Sequence, residues 1–514
     1  MNPGIRRVGL ALVACFLVLA GQLTYLQVAR SRSLADDSRN PRPFLRNVAR
    51  DRGPIVSREG TVLARSVRTD DVYRYRRVYP VATADLFAQV VGYQSINFGE
   101  SGVERAYSDA LAGRTFSLRA EDLADALTGR APVGTVVLTL STRAQQLAAD
   151  GLAGRRGSVV VLDVATGGVL AAYSNPTYDP NLLTGHDNTE VAAARRLLLA
   201  APGNPLLPKP WAERYPPGST FKTVTASIAI EGGASLTREY PFVRSIPLPQ
   251  TDGQRLRNFD DEICGGTLEL SFIRSCNTTY GQVGFDLGNA LAVGIRRFGV
   301  AVDPPPSGGT TGIDPAIARS VGPAPGTFRR NQAGFMQDAI GQNQVAVTPL
   351  AMAMVAAGIA ADGTLLEPRF VACVKDPTDR VVARTGTSVY GRATRPDVAG
   401  TVTGFMRGVV ENPRGTGTAA RIPGVAVAGK TGTAETAPGA RPHAWFIAFA
   451  PAEAPRYAIA VLVENGGGND APEGATGGRI AAPIARDVLA GLLADPPPTP
   501  SCGGERPSSP QTGN

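Results

Sequence analysis

Tyr215-Pro216-Pro217-Gly218-Ser219-Thr220-Phe221-Lys222 is the stretch whose reading decides this chain, and it runs on as Thr223-Val224-Thr225-Ala226-Ser227-Ile228-Ala229-Ile230. Two prolines and a glycine make a stiff, turning approach, and the apolar run behind them reads as a helix. Ser219 and Lys222 stand three residues apart, so on a helix they share a face. A serine at a helix start is ordinarily a cap, and a lone serine–lysine pair at this spacing carries little weight. Two later segments of the chain supply that weight.

Ser275-Cys276-Asn277 and then Lys430-Thr431-Gly432-Thr433 come next, in that order. Alone, the first is an Asn turn between helices and the second a basic turn. Together the three are the parts of a serine acyl-transfer site that uses lysine where other serine enzymes use histidine. Lys222 accepts the Ser219 proton only as a neutral amine, a form favoured by burial and by repulsion from a second cation. Lys430 supplies that repulsion and attracts a substrate carboxylate. Ser275 relays a proton to a leaving amine, while Asn277 contacts Lys222 and holds a peptide carbonyl. The backbone N–H groups of Ser219 and Thr433 are the expected oxyanion hole.

Val425-Ala426-Val427-Ala428-Gly429 reads as a strand leading into Lys430. Gly432 removes a side chain where an extended substrate must approach the backbone. Alternation puts Lys430 and Gly432 on one face and Thr431 and Thr433 on the other. At a twisted sheet edge the Thr431 and Thr433 hydroxyls reach the rim, and such an edge binds peptide by main-chain pairing.

The 514 residues allow more than one domain, and 43% hydrophobic with 19% charged residues describes a folded protein. A net charge of +8 suits an anionic membrane surface or a polyanionic polymer, although solubility alone explains it. No basic stripe interleaved with aromatics is present, which argues against a nucleic-acid role. The only histidines, His186 and His443, are far apart, so a histidine-rich metal site is not expected. The cysteines are Cys15, Cys264, Cys276, Cys373 and Cys502, with no CxxC cluster. Cys264 and Cys276 are close enough in sequence to invite a disulfide, and two reduced, partly buried thiols are the alternative.

After Arg6 and Arg7, Val8 to Val28 is nearly uncharged and long enough for one membrane span. An uncleaved signal anchor is the first expectation: residues 1–7 inside, 8–28 spanning, and the rest on the far side. Cleavage near Ala20 is one alternative. Lipid attachment at Leu12-Val13-Ala14-Cys15 is another, weakened by the short apolar run before it. Residues 29–140 read as a small mixed domain without a catalytic constellation: a hairpin turning at Glu59-Gly60, a helix over Thr83 to Val91, and another over Gly102 to Leu111.

From Gly157 the pattern changes. Ser158 to Asp163 and Val169 to Tyr173 form a hairpin signal, Ala444 to Phe449 and Tyr457 to Glu464 read as core strands, and Ile480 to Leu493 as a last helix. These elements predict an α+β fold, with an antiparallel sheet covered by helices over residues 141–493. Residues 494–514 are rich in proline, serine and glycine and predict a disordered tail.

The chain resembles the class B penicillin-binding proteins, monofunctional peptidoglycan transpeptidases, and looks nearest their actinobacterial elongation or septation type. The family's SxxK motif falls on Ser219 and Lys222, its SxN motif on Ser275 and Asn277, and its KTG motif on Lys430, Thr431 and Gly432. Asn175 to Asn181, Gly341-Gln342 with Thr348-Pro349, and Ala444-Trp445-Phe446 also match. Near the anchor, Arg52-Gly53-Pro54-Ile55, Gly99, Gly102 and Glu104 resemble the boxes of the family's pedestal. Ser57 and Asn343 depart from the usual aspartate and glycine.

The resemblance implies a penicillin-binding transpeptidase domain on a pedestal, acting on D-alanyl-D-alanine stem peptides and acylated by β-lactams at Ser219. It implies no metal or organic cofactor. It also implies a partner glycan polymerase of the multi-spanning shape, elongation and division family. A D,D-carboxypeptidase is the nearest competing enzyme. A β-lactamase is disfavoured by the anchor, the pedestal and the lack of an evident deacylating ExxxN segment. A β-lactam sensor or cell-wall scaffold is the non-enzymatic alternative.

Overall fold

Two neighbouring apolar runs, Gly157–Asp163 and Val169–Asn175, pair antiparallel and begin the larger sheet. Its five strands are ordered Ala428–Ala434, His443–Ala450, Tyr457–Val463, Gly157–Asp163 and Val169–Asn175, all antiparallel to their neighbours. The structure, a computed structural model, describes residues 3–30, 50–113, 133–302, 313–435, 441–467 and 476–503. Every residue of His443–Ala450 and Tyr457–Val463 is buried, so these strands are covered on both faces. The cover is the apolar helix Pro349–Ala360 and the packed pair Thr142–Leu152 and Ala482–Ala494. Continuous hydrophobic runs instead of alternation are what such two-sided burial requires. The strand carrying Lys430 is left at the sheet edge.

A second sheet builds the pedestal. Its order is Val381–Arg384, Val371–Lys375, Thr135–Leu138, Ile55–Val56, Val62–Arg68 and Tyr75–Val78. The two predicted family boxes meet here, where Arg52 Nε and Arg77 Nε hold the buried Glu104 carboxylate at 2.8 and 2.5 Å. Both guanidinium groups favour the charged carboxylate and keep its pKa below the ordinary value despite burial. The expected helices appear as Ala84–Val91, Gly102–Ala106 and Ser108–Leu111. Parts of the expected pedestal at 31–49 and 114–132 lie outside the described residues.

Strands Val371–Lys375 and Val381–Arg384, which lie within 141–493, extend the same sheet as the strands between 55 and 138. One difference from the sequence reading concerns the tail. Helix Ala482–Ala494 is followed by residues 495–503, which have no regular structure but fold against the pedestal. Arg58 Nε donates to the Pro498 carbonyl at 2.6 Å, and Arg384 Nη2 donates to those of Cys502 and Gly503 at 2.7 Å. Cys502 is disulfide-bonded to Cys373, with a Cα separation of 6.1 Å. The expectation of disorder over 504–514 lies outside the described residues.

Helix Pro3–Thr24 continues as a π-helical turn, Tyr25–Ala29. Arg6–Val28 is long and apolar enough to cross a membrane and is not buried in the fold.

Candidate active site

Ser219 lies in a single 3-10 turn, Gly218–Phe221, that passes into the helix Lys222–Glu231. The approach to this turn is fixed on every side. Tyr215 exchanges backbone hydrogen bonds with Val347, both 2.9 Å, and its hydroxyl donates to Glu464 Oε1 at 2.8 Å. Trp445 Nε1 donates to the Pro216 carbonyl at 3.0 Å, and Thr220 Oγ1 to that of Pro217 at 2.8 Å. The Gly218 N–H donates to Gly341 O at 2.9 Å, which gives the Gly341-Gln342 pair a place beside the nucleophile. Gly218 has φ +53, and a Cβ there would stand 2.7 Å from the Thr433 carbonyl oxygen. Only glycine meets both conditions.

Lys222 is wholly buried. Its Nζ lies 2.7 Å from the Ser275 carbonyl, 3.3 Å from Ser275 Oγ and 2.8 Å from Asn277 Oδ1, with the Tyr280 ring centroid 5.7 Å away. Asn277 Nδ2 donates to the Arg257 carbonyl at 3.0 Å, so both ends of this amide are engaged. Ser275 takes the left-handed conformation, φ +63, at the bend between helices Leu268–Ile273 and Asn277–Leu287. Cys276 beside it is disulfide-bonded to Cys264, Cα to Cα 5.5 Å, which ties the bend to strand Cys264–Gly266.

Lys430 enters from the edge strand, also wholly buried. Its Nζ lies 2.9 Å from Ser275 Oγ and 3.0 Å from the Thr431 carbonyl. Burial disfavours both ammonium groups. It lowers Lys430 to about 7, and burial together with repulsion from Lys430 holds Lys222 well below an ordinary lysine. The three motifs are thus one cluster, with two lysines on one serine hydroxyl.

Gly432 also answers to a constraint within the fold itself. A Cβ there would meet the Pro217 carbonyl at 2.8 Å and Thr220 Cγ2 at 2.9 Å. The missing side chain makes room for the nucleophile's own turn. Thr431 is buried and Thr433 half-buried on the same strand.

Sequence reasoning missed the support behind this cluster. Glu464 accepts from Lys209, from Tyr215, and from Arg156 Nη2 at 2.9 Å, in a mostly buried knot. These cations and the phenol hold its carboxyl below the usual range despite burial. Asp338 was missed as well. Its Oδ1 accepts from the Gln344 N–H at 2.9 Å and Asn343 Nδ2 at 3.3 Å, Oδ2 has no partner among the described residues, and burial pushes the carboxyl up to about 7. Among the described residues no group of three or more His, Cys, Asp or Glu side chains is placed to hold a metal.

The family model of the penicillin binding protein transpeptidase domain matches residues 157–490, and that of the penicillin binding protein A dimerisation domain matches 52–137. The chain is 39% identical over 511 residues to the peptidoglycan D,D-transpeptidase PbpA of Mycobacterium tuberculosis H37Rv, covering 97% of this chain and 100% of that one. Its fold is similar to penicillin-binding protein A from M. tuberculosis as a ceftriaxone acyl-enzyme: TM-score 0.79, 38% identity, 87% of this chain and 100% of that one. The penicillin G acyl-enzyme of the same protein gives a TM-score of 0.77 at 38% identity, over 86% and 100% of the two chains.

Proposed function

This chain belongs to the penicillin-binding protein transpeptidase family, and from that premise we propose the reaction its site performs. It is a serine-type peptidoglycan D,D-transpeptidase, acylated by β-lactams, held in the cell membrane by one span with its catalytic domain outside. Neutral Lys222 takes the proton of Ser219, whose oxygen attacks the carbonyl of the D-alanyl-D-alanine bond of a stem peptide. The N–H groups of Ser219 and Thr433 receive the oxyanion, and Thr431, Gly432 and Thr433 line the extended donor. Asn277 orients Lys222 and the donor. As the carbon–nitrogen bond breaks, the proton passes through Ser275 to the leaving amine of D-alanine. An acceptor amine from a second stem then displaces Ser219 and forms the cross-link.

The observation that carries this reading is the convergence of both lysines on Ser275 Oγ, at 3.3 and 2.9 Å, in a wholly buried pair. It supports a path in which protons move between Lys222 and the leaving group through one hydroxyl. We further propose that the anchor and pedestal dock a multi-spanning glycan polymerase, whose nascent strand is the donor.

The test is a donor ending in D-alanyl-D-alanine, incubated with an amine acceptor and the full chain in detergent, with products resolved by mass spectrometry beside Ser219→Ala. Serine-dependent cross-linked product is the expected result. D-alanine release with no transfer would replace this reading by a carboxypeptidase. β-Lactam labelling with no turnover would favour a sensor.

A further inference from the structure

Thr416 lies outside the three motifs, in the loop Gly415-Thr416-Gly417 beyond helix Pro396–Glu411. Its Oγ1 stands 2.6 Å from Oγ1 of Thr431, a hydroxyl-to-hydroxyl hydrogen bond. Backbone hydrogen bonds within the loop and back to its own helix fix its shape. The Gly415 N–H donates to Asn412 O at 2.8 Å and the Gly417 N–H to Val409 O at 3.0 Å. Behind it pass Gly477 and Gly478. A Cβ on Gly478 would stand 2.2 Å from the Thr416 carbonyl oxygen, and one on Gly477 would stand 2.4 Å from that of Gly432. The Gly477–Gly478 segment therefore packs against both the loop and the strand, with no room for a side chain between them.

A threonine hydroxyl has one proton and two lone pairs. Thr431 Oγ1 has no other hydrogen-bond partner among the described residues. If Thr431 donated to Thr416, it would offer an incoming anion only lone pairs. If Thr416 donates, the Thr431 proton is free, and accepting one bond strengthens the other it gives. The neighbouring Lys430 Nζ, bonded to the Thr431 carbonyl at 3.0 Å, sets the sign of the ligand this edge favours.

We propose that Thr416 is a positioning residue for the donor's terminal carboxylate: it donates to Thr431 and turns the Thr431 O–H toward that anion. Thr416 touches no substrate. The inference rests on the reading of Thr431 and Lys430 as donor-binding groups, and it adds a specificity. The preference for donors ending in a free carboxylate over the same donors ending in an amide depends in part on a hydroxyl outside the KTG segment.

The test compares a D-alanyl-D-alanine donor with its D-alaninamide counterpart on the full chain in detergent, for Thr416→Val, Thr416→Ser and Thr431→Val. Thr416→Val is expected to raise KM for the carboxylate donor about ten-fold, the scale of one hydrogen bond to a charged group, with little change in kcat. Turnover of the amide donor should not change, and Thr416→Ser should restore the carboxylate preference. Thr416→Ala replaces the valine variant should that side chain crowd the loop. Unchanged kinetics, or equal loss on both donors, would overturn the proposal. If Thr431→Val abolishes the preference while Thr416→Val keeps it, this inference alone fails. If Thr431→Val keeps it, the donor-binding reading of Thr431 fails and takes the inference with it.

Discussion

Lys222 and Lys430 share one hydroxyl: Ser275 Oγ lies 3.3 Å from the first Nζ and 2.9 Å from the second. Two buried ammonium groups so placed repel each other, and the protein relieves this by letting lysine lose its proton. With Lys222 neutral, the Ser275 hydroxyl accepts from Lys430 and has its own proton free for transfer. In the proposed mechanism the same arrangement suits Lys222 to act as the base and leaves the Ser275 proton available for the relay.

Removing the second cation tests this directly. In Lys430→Met the repulsion on Lys222 disappears, so its pKa should rise and its neutral fraction at a given pH fall. The acid limb of the β-lactam acylation rate should move to higher pH. Stopped-flow acylation across pH 5 to 10 reads this shift. A limb that stays in place would mean that burial alone sets Lys222.

Gly218 is the position where the backbone leaves no choice. Gly218→Ala puts a methyl 2.7 Å from the Thr433 carbonyl, at φ +53. The turn must shift away from the strand, and small misplacement of a nucleophile costs on the order of a hundred-fold in rate. Acylation should fall by about that factor while circular dichroism stays native, because the change displaces a turn and empties no core.

Much of the site was legible because each motif is a short segment whose neighbours declare its conformation. Proline, proline and glycine announce the turn before Ser219, and an apolar run announces the strand that carries Lys430. Glu464 was not legible. Its meaning lies in meeting Lys209, Tyr215 and Arg156, and each of these alone is an ordinary polar residue at the end of an element. Strand Val371–Lys375 was hidden for the same reason, since its partner Thr135–Leu138 is remote in sequence, and Val381–Arg384 joins that sheet only through Val371–Lys375. The tail misled in another way. Its composition predicts disorder, but a chain without regular structure, as at 495–503, can still be anchored, and Cys502 is buried.

Asp338 supplies a pH-dependent stability. Its carboxyl titrates near 3.8 when unperturbed and is pushed up to about 7 by burial in the fold. Between those values the folded chain binds the extra proton, so stability falls as pH rises from about 4 to 7 and stays lowered above. Asp338→Asn keeps an acceptor for the Gln344 N–H and cannot ionise. It should leave the melting temperature unchanged near pH 4 and raise stability at pH 8 by at least about 1 kcal/mol, the equivalent of roughly one pKa unit. Equal effects at both pH values would assign Asp338 a packing role only.

The Cys373–Cys502 bridge closes the other end of the chain onto the pedestal, across a sequence separation of 129 residues. A cross-link over so long a loop restricts the unfolded chain strongly, and the usual gain is about 2–4 kcal/mol. It lies among Val56, Val137, Ala372 and Val381, and none of these belongs to the acylation cluster. Cys502→Ala should therefore lower thermal stability by about that amount and release residues 495–503 to proteolysis, while β-lactam acylation of the folded protein at 25 °C stays at the parent rate. A matching loss of acylation would mean that the pedestal and the catalytic sheet are coupled through this strap, because helix Ala482–Ala494, which packs on strands His443–Ala450 and Tyr457–Val463, leads straight into it.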